Sequence, residues 1–173
     1  PHILMPTTVV QADPPSGLLR PVCPADVDVL YAMQCDPEAN RMAGTKPRSE
    51  SAFRDLWSKS LADPDGLHRI IMHDGEVVGG VSCFEMDSRV MVGYWIARSH
   101  WGRGLATRAL AAFLELTRRR PLHAYAAVTN VASIRVLERC GFRRNGTFMG
   151  HETDRYTAGE VVMLVLDEAP ISP

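Results

Sequence analysis

The sequence of 173 residues predicts a single α/β (α+β) domain with a mixed, mostly antiparallel central sheet of about seven strands and about four flanking helices. Three observations lead to this fold class. Hydrophobic residues make up 46% of the chain, which is enough for a core. Two strand-like runs, 67–73 and 76–84, are joined by Asp74-Gly75, a strong hairpin signal. Later strand-like runs alternate with helical segments, which favours parallel neighbours within the sheet.

The first part of the chain predicts one strand and two helices. Residues 17–22 form a short apolar run typical of a strand, and residues 24–34 open with Pro and acidic residues before apolar residues at helical spacing. Residues 36–48 contain Pro and Gly and predict a loop. Ser49 or Ser51 can cap the second helix, which ends at the Asp-Pro-Asp-Gly segment 63–66.

The rest of the chain predicts six strands and two helices. After the hairpin, residues 89–97 form a β run, and residues 102–119 form a long helix that Pro121 prevents from continuing. Residues 122–129 predict a strand, residues 130–141 a helix capped by Asn130, and residues 142–150 and 156–168 two final strands. The predicted order is β-α-α-β-β-β-α-β-α-β-β, in a domain at 17–168 between a loose segment at 1–16 and a tail at 169–173.

Charge and composition exclude several classes of protein. The formal net charge of −1 gives no basic field for nucleic acid. No apolar run approaches the roughly 20 residues that span a bilayer, and the N-terminal stretch lacks the basic flank of a signal peptide. The four cysteines have no zinc-ligand spacing, so we expect no metal. We therefore expect a soluble, cytoplasmic protein without nucleic-acid or membrane partners.

A glycine loop lies where the long helix begins. Small residues at 102, 104 and 106 leave backbone N–H groups uncovered at a helix N-terminus, which suits a phosphate or pyrophosphate. A Rossmann fingerprint fits less well, because Thr107 occupies its third small position and the next strand supplies no acid. A P-loop would need Gly-Lys-Ser/Thr, which is absent. A third alternative is that the glycines only allow close strand–helix packing.

Two blocks of sequence resemble the GNAT N-acetyltransferases. The first, WGRGLA at 101–106, is similar to that family's pyrophosphate loop, with Trp101 in place of the usual Arg or Gln. The second, VTNVASIRVLERCGF at 128–142, is similar to the family's Asn-x-x-Ser…Gly-Phe block. The substitution at Trp101 is common in the branch that includes ribosomal-protein N-acetyltransferases. The resemblance implies acetyl-CoA as the cofactor.

The resemblance also implies where acetyl-CoA binds and that the fourth and fifth strands separate to admit it. The strand end would pair with pantetheine, the loop would hold the pyrophosphate, and the Asn130 amide would reach the pantetheine arm. A backbone N–H near Ile96–Ala97 would stabilise the oxyanion, unless it is an ordinary ladder hydrogen bond. The implied cofactor-binding residues are Ile96, Ala97, Arg98, Trp101, Gly102, Arg103, Gly104, Leu105, Ala106, Thr107, Asn130 and Ser133.

The catalytic residues are less clearly marked. Many family members have an acidic Tyr at the position of Leu137, and the ribosomal-protein branch instead has a Ser at the position of Ser133. That branch implies Ser133 as the partner of the thioester sulfur and Glu152 as the base, with Glu85 as the rival base. Ser133 could instead serve only the first helical turn, and Glu152 could be a solvated loop carboxylate. A useful base would have a raised pKa from partial burial.

The expected reaction is acetyl transfer by direct attack of an amine on acetyl-CoA in a ternary complex. The acceptor is a protein N-terminal α-amine, or alternatively a small amine such as a polyamine, an amino acid or an aminoglycoside. A non-catalytic CoA-binding module is a further alternative, and it would bind CoA without acetyl transfer. Monomer and homodimer both remain open.

Overall fold

The computed structural model describes residues 17–167 as a seven-stranded sheet with helices on both faces. The strands are β1 (Leu19–Pro21), β2 (Leu67–His73), β3 (Glu76–Met86), β4 (Arg89–Ile96), β5 (Leu122–Ala127), β6 (Arg143–Gly150) and β7 (Gly159–Leu166). The helices are α1 (Asp26–Gln34), α2 (Pro37–Ala43), α3 (Glu50–Ala62), α4 (Leu105–Leu116) and α5 (Val131–Arg139), and a short 3-10 helix spans Arg98–His100.

The strand order is β1-β2-β3-β4-β5-β7-β6, and in the described sheet β4 and β5 form the parallel pair while their neighbours pair antiparallel. The mixed, mostly antiparallel sheet is therefore confirmed. The predicted segment 1–16, the tail 169–173 and the last residue of the predicted domain lie outside the described residues. None of the helices within residues 17–167 is long and apolar enough to cross a membrane.

Helix α2 corrects the predicted element order, because residues 36–48 were expected to form a loop. The Asp36 side chain caps this helix by accepting a hydrogen bond from the Ala39 N–H at 2.9 Å. Pro37 occupies the start of the helix, and Gly44 ends it in the left-handed region at φ +66°. Pro at the first helical position and Gly just after the last one are typical of helix ends. The same residues that suggested a loop therefore delimit a helix.

The core lies on both faces of the sheet, as strand β2 shows. Ile70 and Ile71 are both fully buried, although neighbouring side chains on a strand point to opposite faces. Ile71 packs with residues of α4 and α5, whereas Ile70 packs with Val27, Leu30 and Phe53 of α1 and α3. The sheet is thus a middle layer, with α4 and α5 on one face and α1 and α3 on the other.

Strands β4 and β5 diverge after a single register position. They pair at Met91 and His123, which leaves about 16 Å of β4 without a partner on that side. The Ala97 N–H donates to the Val78 carbonyl at 2.8 Å, and hydrogen-bonded residues alternate along an antiparallel pair. The backbone groups of Tyr94 and Ile96 therefore face away from β3, into the opening between β4 and β5.

Candidate functional site

A cleft of about 430 Å³ opens where β4 and β5 diverge, and both faces of the sheet contribute to it. The N-terminal ends of α4 and α5 form one side, and α2 with Trp95 forms the other. The lining includes Ala39 and Met42 of α2, Tyr94, Trp95 and Ile96 of β4, and Ser133 of α5. Among the described residues that line this cleft, none is Asp or Glu.

The start of α4 presents free backbone N–H groups to the cleft. The first backbone hydrogen bond of this helix runs from the Arg108 N–H to the Gly104 carbonyl at 3.1 Å, and no side chain caps the helix. Gly102 and Gly104 adopt φ +73° and +71°, so the predicted helix start at 102 is wrong and the helix begins at Leu105. A Cβ at either glycine would meet no described heavy atom within 4 Å. The glycines therefore serve an open, left-handed turn, and close packing does not explain them.

Trp101 connects this turn to the end of β4. Its indole Nε1–H donates a 2.9 Å hydrogen bond to the Ile96 carbonyl, one of the backbone groups that face the opening. Trp101 replaces the Arg or Gln of the resembled motif, and in this structure it holds the loop against the strand end. This contact leaves the Ile96 N–H as a backbone donor that points into the cleft.

The start of α5 brings two hydroxyl groups together. Asn130 caps the helix as expected, since its Oδ1 accepts the Ser133 N–H at 3.2 Å. The Ser133 Oγ lies 2.8 Å from the Tyr94 hydroxyl. The Tyr94 hydroxyl also donates a hydrogen bond to the Ser133 carbonyl at 3.1 Å. The Ser133 hydroxyl therefore bonds to Tyr94, while Asn130 serves the first helical turn.

Tyr94 is a residue that the sequence analysis missed. Burial raises the pKa of its hydroxyl to about 12, against a smaller opposing effect of its hydrogen bond with Ser133. Tyr94 is therefore neutral at physiological pH and keeps a proton to donate. A signal was present in the sequence, because the alternation of Val92, Tyr94 and Ile96 places the phenol on the same face as the core residues of β4.

The predicted strand-end residues divide into two groups. Ile96 lines the cleft, but Ala97 and Arg98 line a neighbouring groove with Asp36. The Ala97 N–H is committed to the Val78 carbonyl, so for Ala97 the alternative of an ordinary ladder hydrogen bond is correct. The Arg98 guanidinium forms an ion pair with Asp36 at 3.1 Å, so its positive charge is already paired with a carboxylate.

Other predicted cofactor residues lie together around the helix start. Trp101, Gly102, Gly104, Leu105, Ala106, Thr107, Asn130 and Ser133 all line the cleft. Arg103 belongs to the same turn, but its exposed side chain is outside the lining. Two further cations, Arg135 and Arg139 on α5, line the cleft and were missed. Their spacing of four residues places both on one face of the helix, which the sequence could have indicated.

Glu152 lies outside the cleft lining, on the loop between β6 and β7. It forms an ion pair with Lys46, and its Oε2 accepts the Ala158 N–H at 3.1 Å. The hydrogen bond with Lys46, and then that with Ala158, lower the pKa of Glu152 below its ordinary value. A general base at neutral pH needs the opposite shift, so the surroundings of Glu152 weaken it as a base.

Glu85 lies outside the cleft lining, and its position does not support its expected role as the rival base. Its carboxylate pairs with Arg119 at 3.3 Å, beyond the C-terminal end of α4. The cleft lies at the other end of this 12-residue helix, about 18 Å away along its axis. Glu85 also pairs in register with Val90, at the far end of β4 from Ile96.

The residues at the two helix starts fit a phosphate-bearing carrier such as CoA. Uncapped N–H groups at the start of α4 can donate hydrogen bonds to anionic oxygens, and the open glycines leave room for these oxygens to approach. Arg135 and Arg139 supply positive charge on the same side. The opening between β4 and β5 offers unpaired backbone groups to an extended arm.

Comparison with known proteins agrees with this geometry. Residues 18–143 match the Acetyltransferase (GNAT) domain family. A Bacillus subtilis (strain 168) protein, YdaF, named provisionally as a ribosomal N-acetyltransferase, is 33% identical over 112 residues, which are 58% of this chain and 61% of that protein. The match thus spans about three fifths of that relative.

Two solved structures share the fold. The spermidine N-acetyltransferase of Vibrio cholerae, in complex with CoA and spermine, has a TM-score of 0.74 at 17% identity and covers 86% of this chain and 94% of that one. RimL, a ribosomal L7/L12 alpha-N-protein acetyltransferase in complex with CoA, has a TM-score of 0.71 at 20% identity, covering 90% and 97%. With a family match over most of its length, this chain belongs to the GNAT acetyltransferases.

Proposed function

We propose that the protein transfers an acetyl group from acetyl-CoA to the α-amine of a peptide or protein N-terminus, by direct attack in a ternary complex. The observation that carries the choice of acceptor is the absence of Asp and Glu among the described residues that line the cleft. An α-amine has a pKa near 7.7–8.0, so roughly a tenth of it is neutral at pH 7. A lysine-like amine, with a pKa near 10.4, is neutral in less than about one molecule in a thousand.

Because an α-amine needs less help from a base, a cleft without a carboxylate among its described lining residues favours an α-amine over a polyamine. An acceptor that enters partly neutral can attack without a carboxylate of raised pKa beside it. Glu152 as a base stays a prediction, since its carboxylate lies on the acceptor side but is held ionised by Lys46.

The cofactor side of the cleft would hold CoA by its phosphates. The N–H groups from Gly102 to Thr107 would donate hydrogen bonds to the diphosphate, with Arg135 and Arg139 adding positive charge. Bound acetyl-CoA supplies the acetyl thioester. The Ile96 N–H, which faces the opening, would donate to the oxygen on which negative charge develops.

The hydroxyl pair would assist the sulfur that leaves. Tyr94 retains its one proton at neutral pH, and both the Ser133 carbonyl and the Ser133 Oγ are within its reach. When Tyr94 donates to the Oγ, the O–H of Ser133 is free to donate toward the cleft. A serine alone is a weak acid, and a buried tyrosine behind it fixes the direction of its hydroxyl. We propose Ser133 as the group that contacts sulfur and Tyr94 as the residue that positions it.

Acetyl-CoA turnover tests this function when thiol release is followed against matched acceptors. We expect a peptide with a free α-amine to be acetylated, and the same peptide with a blocked N-terminus and an internal lysine to be inert. Mass spectrometry would locate the acetyl group. Faster turnover with spermidine or an aminoglycoside would identify a small amine as the acceptor and contradict the proposed one. Tight CoA binding without thiol release for any amine would indicate a non-catalytic module.

A further inference from the structure

We propose that Arg48 and Arg155 form an anion-binding site on the acceptor side of the cleft, and that the acceptor amine carries a carboxylate that binds there. This inference rests on the proposed function, and it adds a chemical requirement to the acceptor. The carboxylate can come from an acidic side chain near a peptide N-terminus or from the α-carboxylate of a free amino acid.

Arg155 is held beside the cleft by packing and by one hydrogen bond. Its guanidinium lies 6.0 Å from the centre of the Trp95 ring, and Trp95 lines the cleft. One of its N–H groups donates to the Lys46 carbonyl. A guanidinium has five N–H donors, so the others have no acceptor in the part of the chain that the structure describes.

The backbone around Arg155 is fixed by the segment after α2. The Lys46 N–H donates to the Arg155 carbonyl at 2.7 Å, and the Thr157 N–H donates to the Gly44 carbonyl at 3.0 Å. Thr45 and Tyr156 form an antiparallel bridge between the same two segments. The guanidinium therefore projects from a backbone with defined hydrogen bonds, although it belongs to a loop.

The backbone of Arg48 is fixed by a buried amide. Gln34, at the end of α1, is only 5% exposed. Its Oε1 accepts the Arg48 N–H at 2.9 Å, and its Nε2 donates to the Arg48 carbonyl at 3.1 Å. Both backbone groups of Arg48 are thereby paired, while its side chain has no hydrogen bond or ion pair within residues 17–167.

The two cations repel each other, and the acids around them are engaged elsewhere. Burial, and next the nearby Arg48, lower the pKa of Arg155 to about 10, so Arg155 stays charged at neutral pH. The acids of the surrounding segments pair with other cations: Glu152 with Lys46, Glu50 with Arg54 and Asp36 with Arg98. Asp154 is exposed and has no ion pair with Arg155 among the described contacts.

Two arginines on hydrogen-bonded backbone, without a carboxylate paired to them among the described residues, are suited to bind an anion. Arginine pairs with carboxylates through two parallel N–H···O bonds, and a desolvated site strengthens such pairs. The same charges would repel a polyamine, which carries several positive charges. The acceptor side therefore favours an amine with a nearby negative charge.

The test compares peptide amides that differ only in charge. We expect kcat/KM to be about tenfold or more higher for a Ser-Asp-Glu peptide than for the isosteric Ser-Asn-Gln peptide. Arg48→Gln and Arg155→Gln should each remove most of this preference. In both variants, kcat/KM for the Ser-Asn-Gln peptide should stay within about twofold of the wild-type value. Arg143→Gln is the matched control, because this exposed arginine pairs with Asp167 at the other end of β6. Serine and serinamide form a second arm, which reports whether an α-carboxylate can substitute for an acidic side chain.

Each outcome decides for or against the site. Equal kcat/KM for the two peptides in the wild type, or equal losses on both peptides in the variants, would overturn it. If Arg155→Gln unfolds on heating at a much lower temperature, Arg48→Gln gives the answer, because its side chain makes no described contact that folding needs. If no amine is acetylated at all, the proposed function has failed, whereas acetylation of both peptides equally contradicts the anion site alone.

Discussion

The two sides of the cleft are built in different ways. On the cofactor side, a single stretch of chain from β4 to α4 supplies the strand end, the turn and the helix start, and α5 adds its own start nearby. On the acceptor side, residues 44–48 meet the β6–β7 loop, where Lys46 and Thr153 are 107 residues apart in sequence. The first side binds through backbone N–H groups, and the second presents side-chain cations.

This difference separates cofactor binding, which every acceptor requires, from the choice of acceptor. Backbone donors at a helix start bind any diphosphate of the right shape, whatever the neighbouring side chains are. Side chains on loops determine which acceptor enters. Variants on the cofactor side should therefore affect every acceptor alike, whereas variants on the acceptor side should affect one class of acceptor.

The largest expected effect comes from Gly104→Asp. A carboxylate at the uncapped start of α4 would oppose the diphosphate, and Gly104 has a φ of +71° that L-residues rarely adopt. We expect CoA affinity to fall by about 10- to 100-fold, measured by calorimetry.

Gly75→Asp is the matched control, because Gly75 has a φ of +77° and equally open surroundings in the β2–β3 hairpin. It should cost about 1 kcal/mol of unfolding free energy and leave CoA affinity unchanged. If Gly104→Asp binds CoA as the wild type does, the diphosphate does not lie at this helix start.

A smaller effect is expected from removing the hydroxyl pair. Ser133→Ala and Tyr94→Phe should each lower kcat by about tenfold, because each removes one partner of the 2.8 Å hydrogen bond that aims Ser133 at the sulfur. The double variant should lose little more than either single one, since the two groups act together. CoA affinity should stay within about twofold of the wild type.

Ser82→Ala is the control for the loss of a hydroxyl, because the half-buried Ser82 Oγ bonds to the His68 ring at 2.8 Å and neither residue lines the cleft. Unaltered turnover in Ser133→Ala would leave Ser133 with a structural role at the start of α5. Additive losses in the double variant would mean that Tyr94 acts independently of Ser133.

The smallest expected effect is that of Glu152→Gln. Because Lys46 and the Ala158 N–H keep the pKa of Glu152 low, its carboxylate is already ionised well below neutral pH and has little tendency to take up a proton. We expect kcat/KM for an α-amine peptide to fall by less than about threefold. The rise of kcat/KM with pH should follow the α-amine of the acceptor, near pH 8, in both proteins.

A flattened pH profile in Glu152→Gln would instead identify Glu152 as the base. Lys46→Met sharpens the distinction, because loss of this cation raises the pKa of Glu152 back toward its ordinary value. The lowered pKa of Glu152 also affects stability. A carboxylate with a lowered pKa stabilises the folded state above its unfolded-state pKa, and this stabilisation is lost as the pH falls. Thermal unfolding across acidic pH should therefore show a smaller loss of stability in Lys46→Met than in the wild type.

Sequence reasoning succeeded where the signal is local. The Asp74-Gly75 hairpin, the Asn130 cap and the glycine turn before α4 all depend on residues within a few positions of each other. The same kind of signal failed at α2, because Pro37 and Gly44 are used both in loops and at helix ends. Arg135 and Arg139 were within reach, since helical spacing already places them on one face.

The surroundings of the acid–base groups could not be predicted, because they depend on contacts between residues that are distant in sequence. Nothing near Glu152 in sequence indicates Lys46, which lowers its pKa from a distant loop. Nothing near Glu85 shows that Arg119 holds it at the wrong end of α4. Tyr94 meets Ser133 across 39 residues, and its contact depends on how far β4 and β5 separate.

The amino-acid sequence by itself determined the family, most of the element order and the turn that offers backbone donors at the start of α4, because these depend on short-range conformational preferences and spacing. Only the tertiary structure decided which residues share the cleft, how the pKa values of Tyr94, Glu152 and Arg155 shift, and which cations have no carboxylate partner among the described residues. Burial and Coulomb interactions depend on distances in space, and around Glu152 and Arg155 these distances are set by segments more than 100 residues apart in the chain.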